Sequence, residues 1–346
     1  MESSTYRFPA EWEDQEGVLL CFPYNGNDWP GKFQAIQWAF VEFIKKVAQV
    51  EKVFLVVTSE VQQEQVHEKL ELAYVNMKSI NYILHKTNRS WMRDSGPIIV
   101  KKDGERIALN FNFNGWAKYA NHTLDRGVPK IVSETIKAPL VQVMYNGKPV
   151  VLEGGAIDTN GKGTLLTSEE CLLDPTIQVR NKNFTKADYE AIFKDYLGIT
   201  NVIWLGDGIV GDDTHGHIDD LCRFVNADTI ITVVEDNPED PNYKALQDNL
   251  KRLQASKLET GKMPNIVTLP MPKPLFFDGL QIPASYANFL ILNKTVLVPT
   301  FNDSKDRVAL NIIADCFPDR EVIGMSAIDL IWGFGTLHCL SQQIPS

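Results

Sequence analysis

Leu221-Cys222-Arg223-Phe224-Val225-Asn226-Ala227-Asp228-Thr229-Ile230-Ile231-Thr232-Val233-Val234 is two short runs rich in apolar and β-branched residues, divided by a tight Asn-Ala-Asp turn. That pattern predicts a β-hairpin. It recurs along the chain. Lys102-Asp103-Gly104 joins residues 98–100 to residues 107–111, and Asn160-Gly161 and Asn293-Lys294 mark two more turns. From turn to turn the spacing is about 58, 66 and 66 residues. Segments of helical composition lie between, at 126–137, 186–196, 243–253 and 305–317, and apolar strands such as 202–205 and 322–325 follow. The expected unit is therefore hairpin, helix, strand. A period near 66 in 346 residues leaves room for a fifth copy. Its pieces are split between the ends: a strand at 17–21, a helix over 34–48 and a strand at 53–57, completed by a strand at 337–340. The reading is an α/β fold of repeated units, one domain over residues 1–346, with the chain ends meeting in one sheet.

Composition excludes several classes. No apolar run approaches the roughly 18 to 20 residues of a membrane span, and Met1-Glu2-Ser3-Ser4-Thr5 lacks the basic and apolar regions of a signal peptide. A cytoplasmic protein without membrane contact is expected. Cys21, Cys171, Cys222, Cys316 and Cys339 form no CxxC pair and are odd in number, which supports neither a disulfide framework nor a thiolate zinc site. A formal charge of −10 argues against nucleic acid as a partner and suits a cationic small molecule. A homo-oligomer is allowed but not specified.

The unusual polar residues stand just ahead of the turns. Asp94 lies in Trp91-Met92-Arg93-Asp94-Ser95-Gly96-Pro97, Glu153 in Leu152-Glu153-Gly154-Gly155, and His217 and Asp219 in His215-Gly216-His217-Ile218-Asp219-Asp220. Cys339 follows a glycine-rich turn in Gly333-Phe334-Gly335-Thr336-Leu337-His338-Cys339. A lone cysteine more often packs than reacts. In a repeat of fixed geometry, however, equivalent positions converge, which would bring these side chains together. His217 and Asp219, read as alternate residues of a strand, would share a face and hold imidazole and carboxylate side by side. The same stretch has the look of a metal-ligand run, but only His338 follows it downstream, so no metal and no cofactor is expected. A thiol, an imidazole and three acids suit a guanidinium. That group is planar, permanently cationic and made of donors only, so two carboxylates can grip it while its central carbon stays open to a nucleophile.

Taken in order, Trp-Met-Arg-Asp-Ser-Gly-Pro, Leu-Glu-Gly-Gly, Gly-His-Ile-Asp and His-Cys-Leu-Ser-Gln-Gln resemble the agmatine deiminases and related bacterial peptidyl-arginine deiminase-like proteins of the guanidino-group-modifying (pentein) superfamily. The likeness also covers Phe8-Pro9-Ala10-Glu11-Trp12-Glu13 and Glu169-Glu170-Cys171-Leu172-Leu173. The resemblance implies a five-bladed α/β propeller of ββαβ repeats with pseudo-fivefold symmetry. It implies a hydrolase that converts agmatine to N-carbamoylputrescine and ammonia through a covalent cysteine thiouronium, a step of putrescine biosynthesis. Cys339 would be the nucleophile, His217 the acid and base, and Glu153 the partner of His217. Asp94 and Asp219 would bind the guanidinium, with Trp91 packed on the substrate. Deimination of free or peptidyl arginine is the alternative; a metal-dependent hydrolase or a non-catalytic propeller ranks below it. Two departures border the site. Phe334 and Thr336 stand where the family commonly has Gly and Asn, and Asp220 and Arg223 where it has Asn and a nearby Cys.

Overall fold

The computed structural model describes residues 6–346. β1 (Gln15–Cys21), α1 (Phe33–Ala48), β2 (Lys52–Val57), α2 (Glu60–Leu72) and β3 (Ile80–Leu84) come first. The short helix α3 (Met92–Ser95) leads into β4 (Ile98–Lys102) and β5 (Glu105–Asn110), then α4 (Val128–Thr135) and β6 (Leu140–Gln142). Asp103 and Gly104 take φ of 51° and 84°, the left-handed pair that a two-residue hairpin turn requires. A small hairpin, β7 (Met144–Tyr145) with β8 (Lys148–Pro149), precedes β9 (Asp158–Thr159) and β10 (Thr164–Ser168). α5 (Glu169–Leu173), α6 (Lys186–Ile192) and β11 (Asn201–Leu205) follow. Thr185 and Asp188 form a reciprocal capping box that fixes where α6 begins. The next unit is β12 (Cys222–Phe224), β13 (Thr229–Val234), α7 (Tyr243–Ala255) and β14 (Asn265–Pro270). After the hairpin β15 (Leu275–Phe277) and β16 (Leu280–Ile282) come β17 (Leu290–Ile291), β18 (Thr295–Thr300), α8 (Asp306–Cys316), β19 (Glu321–Ser326) and β20 (Ser341–Pro345).

Among the described residues the strands form five mixed sheets and two separate hairpins. In four sheets an antiparallel hairpin is joined by one parallel strand: β4-β5-β6, β9-β10-β11, β12-β13-β14 and β17-β18-β19. The parallel strand needs a crossover, which the intervening helices supply. The first sheet repeats this with its outer strand drawn from the other end of the chain: β20 runs antiparallel to β1, with Leu19 opposite Gln342, and β1 runs parallel to β2. α2 and β3 extend that sheet by a unit the sequence reading did not anticipate. The α/β class, the four hairpins and their helices stand where the periodicity put them. α1 shows why such helices form: Ile36, Phe40, Phe43, Ile44 and Val47 recur on one face, and all are fully buried.

One strand is corrected. Residues 337–340 are not the strand that completes the first sheet; β20 begins at Ser341. The apolar look of Leu337 and Leu340 reflects burial in a turn, closed by bonds from Leu340 N–H to Thr336 O (3.1 Å) and Ser341 N–H to His338 O (3.0 Å). Cys339 thus sits in the turn feeding β20, a position matching the others. Asp94 is in α3 ahead of β4, Glu153 precedes the turn Gly154–Ala156 ahead of β9, and His217 precedes the turn Ile218–Asp220 ahead of β12. No helix among the described residues is long and apolar enough to cross a membrane.

Candidate active site

Cys339, 6% exposed, borders a cavity of about 260 Å³ also lined by Trp91, Asp94, Trp116, Tyr119, Asp28, Arg89, Asp213 and Phe334. Asp219 Oδ2 is 3.7 Å from its sulfur. Asp94 is held on two sides, accepting from Trp116 Nε1 (2.9 Å) and from Gly155 N–H (3.2 Å), with Oδ1 3.8 Å from His217 Nδ1. His217 Nε2 lies 3.9 Å from Glu153 Oε2. The Glu-Gly-Gly motif has a steric cause: a Cβ on Gly155 would stand 2.5 Å from His217 Nδ1. The five polar residues read from the sequence therefore lie around one centre. Trp91 joins them on the cavity wall, tilted against Trp29 at 5.4 Å between ring centroids.

The pairing of His217 with Asp219 is corrected. They are not neighbours on a strand. Asp212 Oδ2 accepts the N–H groups of Gly216 (2.7 Å) and His217 (3.0 Å), folding this stretch into a turn. The imidazole beside Asp219 is that of His338, whose Nδ1 is 2.6 Å from Asp219 Oδ2 and whose Nε2 is 2.9 Å from Glu11 Oε2. His215, the other histidine of the suspected metal run, turns away to Asp174 (3.0 Å).

Burial and charge set the protonation states. Burial alone would neutralise Glu153, but Arg180, aided by His217, outweighs it and lowers the carboxyl to about 2. Burial also opposes charge on His217, yet Asp94 first, then contacts with Cys171 and Glu153, raise the imidazole well above its usual value. Asp94 goes the other way, raised by burial to about 6 against the pull of His217. Burial, then Asp219, Asp220 and Asp94, push the Cys339 thiol well above 9, while a bond from Asn288 opposes them. Among the described residues, Glu153 Oε2, Asp219 Oδ1 and both ring nitrogens of His217 are buried without a hydrogen-bond partner. Buried polar atoms are rarely left so, and these four belong to side chains clustered around Asp94 and Cys339, which line the cavity.

Two residues escaped the sequence reading. Asn288 donates to Cys339 Sγ (3.0 Å) and Asp220 Oδ1 (3.0 Å), while its own oxygen accepts from Thr336 Oγ1 (2.7 Å) and His338 N–H (3.1 Å). It precedes β17 as the other site residues precede their hairpins; the turn Asn293-Lys294 lacked a polar forerunner, and that gap was the available signal. Arg180, fully buried, donates to Glu153 Oε1 (3.0 Å). Nothing in its surroundings in sequence marks it. Arg223, noted as a departure, is buried in ion pairs with Glu11 and Asp158 behind His338. As for cations, the donor atoms of Glu153, Cys171 and His217 lie within 4.8 Å of one another, as do those of Asp219, Asp220 and Cys339. Both groups draw on the cluster just described, so a metal ion and a guanidinium would compete for the same atoms.

Over residues 7–345 the chain matches the family described as Porphyromonas-type peptidyl-arginine deiminase. It is 33% identical to an agmatine deiminase of Pseudomonas syringae pv. tomato, across 99% of this chain and 96% of that protein. The structure of an agmatine deiminase from Enterococcus faecalis superposes with a TM-score of 0.89 at 29% identity, covering 100% of this chain and 99% of that one. For the C. jejuni agmatine deiminase the TM-score is 0.87 at 30% identity, with 100% and 98% covered. A match that runs almost from end to end places this chain in the Porphyromonas-type peptidyl-arginine deiminase family, alongside curated agmatine deiminases.

Proposed function

We propose that this protein is an agmatine deiminase, hydrolysing agmatine to N-carbamoylputrescine and ammonia. The observation that carries the reading is the cavity itself: a thiol with carboxylates on both sides, and walls of Trp91, Trp116 and Tyr119. Asp94 and Asp219 bind the guanidinium. Its charge offsets the acids that hold the Cys339 thiol protonated, so the thiol releases its proton to solvent when substrate arrives. The thiolate attacks the guanidinium carbon. His217, protonated beside Asp94 and Glu153, gives its proton to the departing nitrogen, which leaves as ammonia from a thiouronium adduct. Neutral His217 then takes a proton from water as the hydroxyl adds to the adduct carbon. Collapse returns the sulfur, and the hydroxyl proton restores the thiol.

The far end of the cavity favours agmatine over arginine. Its walls carry Asp28 and Asp213 with aromatic rings. Arg89 is already committed, to Asp28 (2.7 Å) and Asn121 (3.0 Å), and lies over Tyr119 at 4.2 Å. Asp28 is held in the same pair, and Asp213 by Lys118 (2.6 Å) and Tyr119 Oη (2.8 Å), so an ammonium meets chiefly π faces there, whereas an α-carboxylate meets no uncommitted cation among the described lining residues. The five mixed sheets are read as the blades of a five-bladed ββαβ propeller with pseudo-fivefold symmetry around this site, in one catalytic domain. The repeated strand order supports that arrangement. Ammonia release measured with agmatine, arginine and an arginyl peptide tests the substrate. Agmatine should lead by at least about tenfold in kcat/KM, and Cys339→Ala should abolish release. Equal turnover of arginine would overturn the assignment, and retained activity in the variant would overturn the mechanism.

A further inference from the structure

We propose that His338 is a positioning residue for the reaction: its ring occupies one oxygen of Asp219 and leaves the other to grip a guanidinium. The inference rests on the deiminase reading above, and only on the guanidinium in it. His338 Nδ1 stands 2.6 Å from Asp219 Oδ2, the oxygen that also lies 3.7 Å from the Cys339 sulfur. Asp219 Oδ1 is buried and, among the described residues, has no hydrogen-bond partner. Both oxygens of a carboxylate accept. Fixing one of them stops the group from turning and keeps the other for a donor that arrives with the substrate.

The ring itself is held from behind. Its Nε2 is 2.9 Å from Glu11 Oε2, in the stretch 8–13 that the reaction steps leave without a part. Glu11 is pinned in turn: Oε1 accepts from Ile291 N–H (2.7 Å), and Arg223 pairs with Oε2. Two ring nitrogens that each face a carboxylate oxygen must both donate, which leaves the ring with a positive charge. Burial opposes charge on both acids, yet Arg223 and then His338 hold Glu11 well below the usual carboxylate range, and the bond and charge of His338 lower Asp219. The backbone adds a further restraint. His338 N–H donates to Asn288 Oδ1 (3.1 Å), and its carbonyl accepts from Ser341 N–H (3.0 Å) and Arg93 Nε (3.3 Å). A buried line of alternating charge, from Arg223 through Glu11 and His338 to Asp219, thus ends beside the nucleophile.

Two variants separate the bond from the charge. His338→Gln keeps an amide that can reach Glu11 and loses the donor to Asp219; His338→Asn keeps a donor near the Nδ1 position and loses the charge. With agmatine, or with arginine if the parent turns that over faster, KM should rise at least about tenfold in His338→Gln and about threefold in His338→Asn. In both, kcat should stay within about threefold of the parent, the pattern of a lost ground-state grip. Calorimetry on the Cys339→Ala protein carrying each change should show the same loss of affinity. A purely structural part would lower the melting temperature and kcat and leave KM unchanged; that result overturns the inference and leaves the proposed function standing. Should His338→Gln fail to fold, His338→Asn decides alone, because a KM equal to the parent's overturns the inference equally. A parent enzyme inert toward every guanidine overturns that function and this inference together.

Discussion

Cys339 has acids for neighbours: burial, Asp219, Asp220 and Asp94 push its thiol upward more than the bond from Asn288 pulls it back. The thiol is therefore protonated at neutral pH in the free enzyme. Alkylation by iodoacetamide should climb about tenfold per pH unit from pH 6 to 9, since the thiolate is the reactive form. A plateau near pH 7 would show a low thiol pKa and remove the need for substrate to ionise it. Arg180 plays the opposite part for Glu153. The folded carboxyl sits near 2, against an ordinary value of 4.5, so its stabilising contribution is full above 4.5 and is lost as pH falls toward 2. Arg180→Met removes that buried carboxylate's strongest partner and leaves it only His217 at 3.9 Å; breaking a buried pair costs about 3–5 kcal/mol of stability in comparable cases. The carboxyl then titrates at higher pH, and the acid limb of the rate profile should move up with it. Denaturant unfolding and a pH–rate curve check the two halves; a variant unchanged in both would show that Glu153 does not depend on this arginine.

At the scale of elements, what the sequence discloses depends on whether local chemistry decides the structure. Asp103-Gly104 specifies its turn outright, because only a left-handed pair closes that hairpin. Asp94, Glu153 and His217 were legible because each stands at a fixed place ahead of a hairpin, and Cys339 because it follows a glycine-rich turn. Residues 337–340 misled because Leu and Cys at alternate positions look like a strand, while the Asn288 bonds that wind them into a turn come from about fifty residues away. Asn288 and Arg180 were invisible because a single amide or guanidinium carries no pattern; only the partner across the fold gives it meaning. The strand that anchors the turn of Cys339 is β20. Ile344 is fully buried and pairs with Gly17, whose Cβ position is blocked by Lys52 O at 2.4 Å. Ile344→Ala should cost about 2–5 kcal/mol, seen as a lower urea midpoint at unchanged slope. An unshifted midpoint would mean that this pairing does not hold the turn of Cys339 in place.

Across the whole molecule, the buried centre carries more acid than base. Glu11, Asp94, Glu153, Asp158, Asp219 and Asp220 are all buried there, answered by Arg93, Arg180, Arg223 and two histidines. Glu11 and Asp158 are satisfied by Arg223 and Glu153 by Arg180, whereas Asp94 and Asp219, beside Cys339, have only His217 (3.8 Å) and His338 (2.6 Å) as basic partners. A guanidinium is the cation that would complete the set, so substrate should stabilise the fold as well as react in it. The Cys339→Ala protein, expected to lack turnover, isolates this effect. With agmatine at about 100 times its Kd, mass action adds about 2.7 kcal/mol to the folded state, which should raise the melting temperature by a few degrees. Butylamine has the ammonium tail and no second cation, and should raise it far less. Equal shifts from the two would mean that affinity resides in the tail, and that Asp94 and Asp219 do not grip the guanidinium.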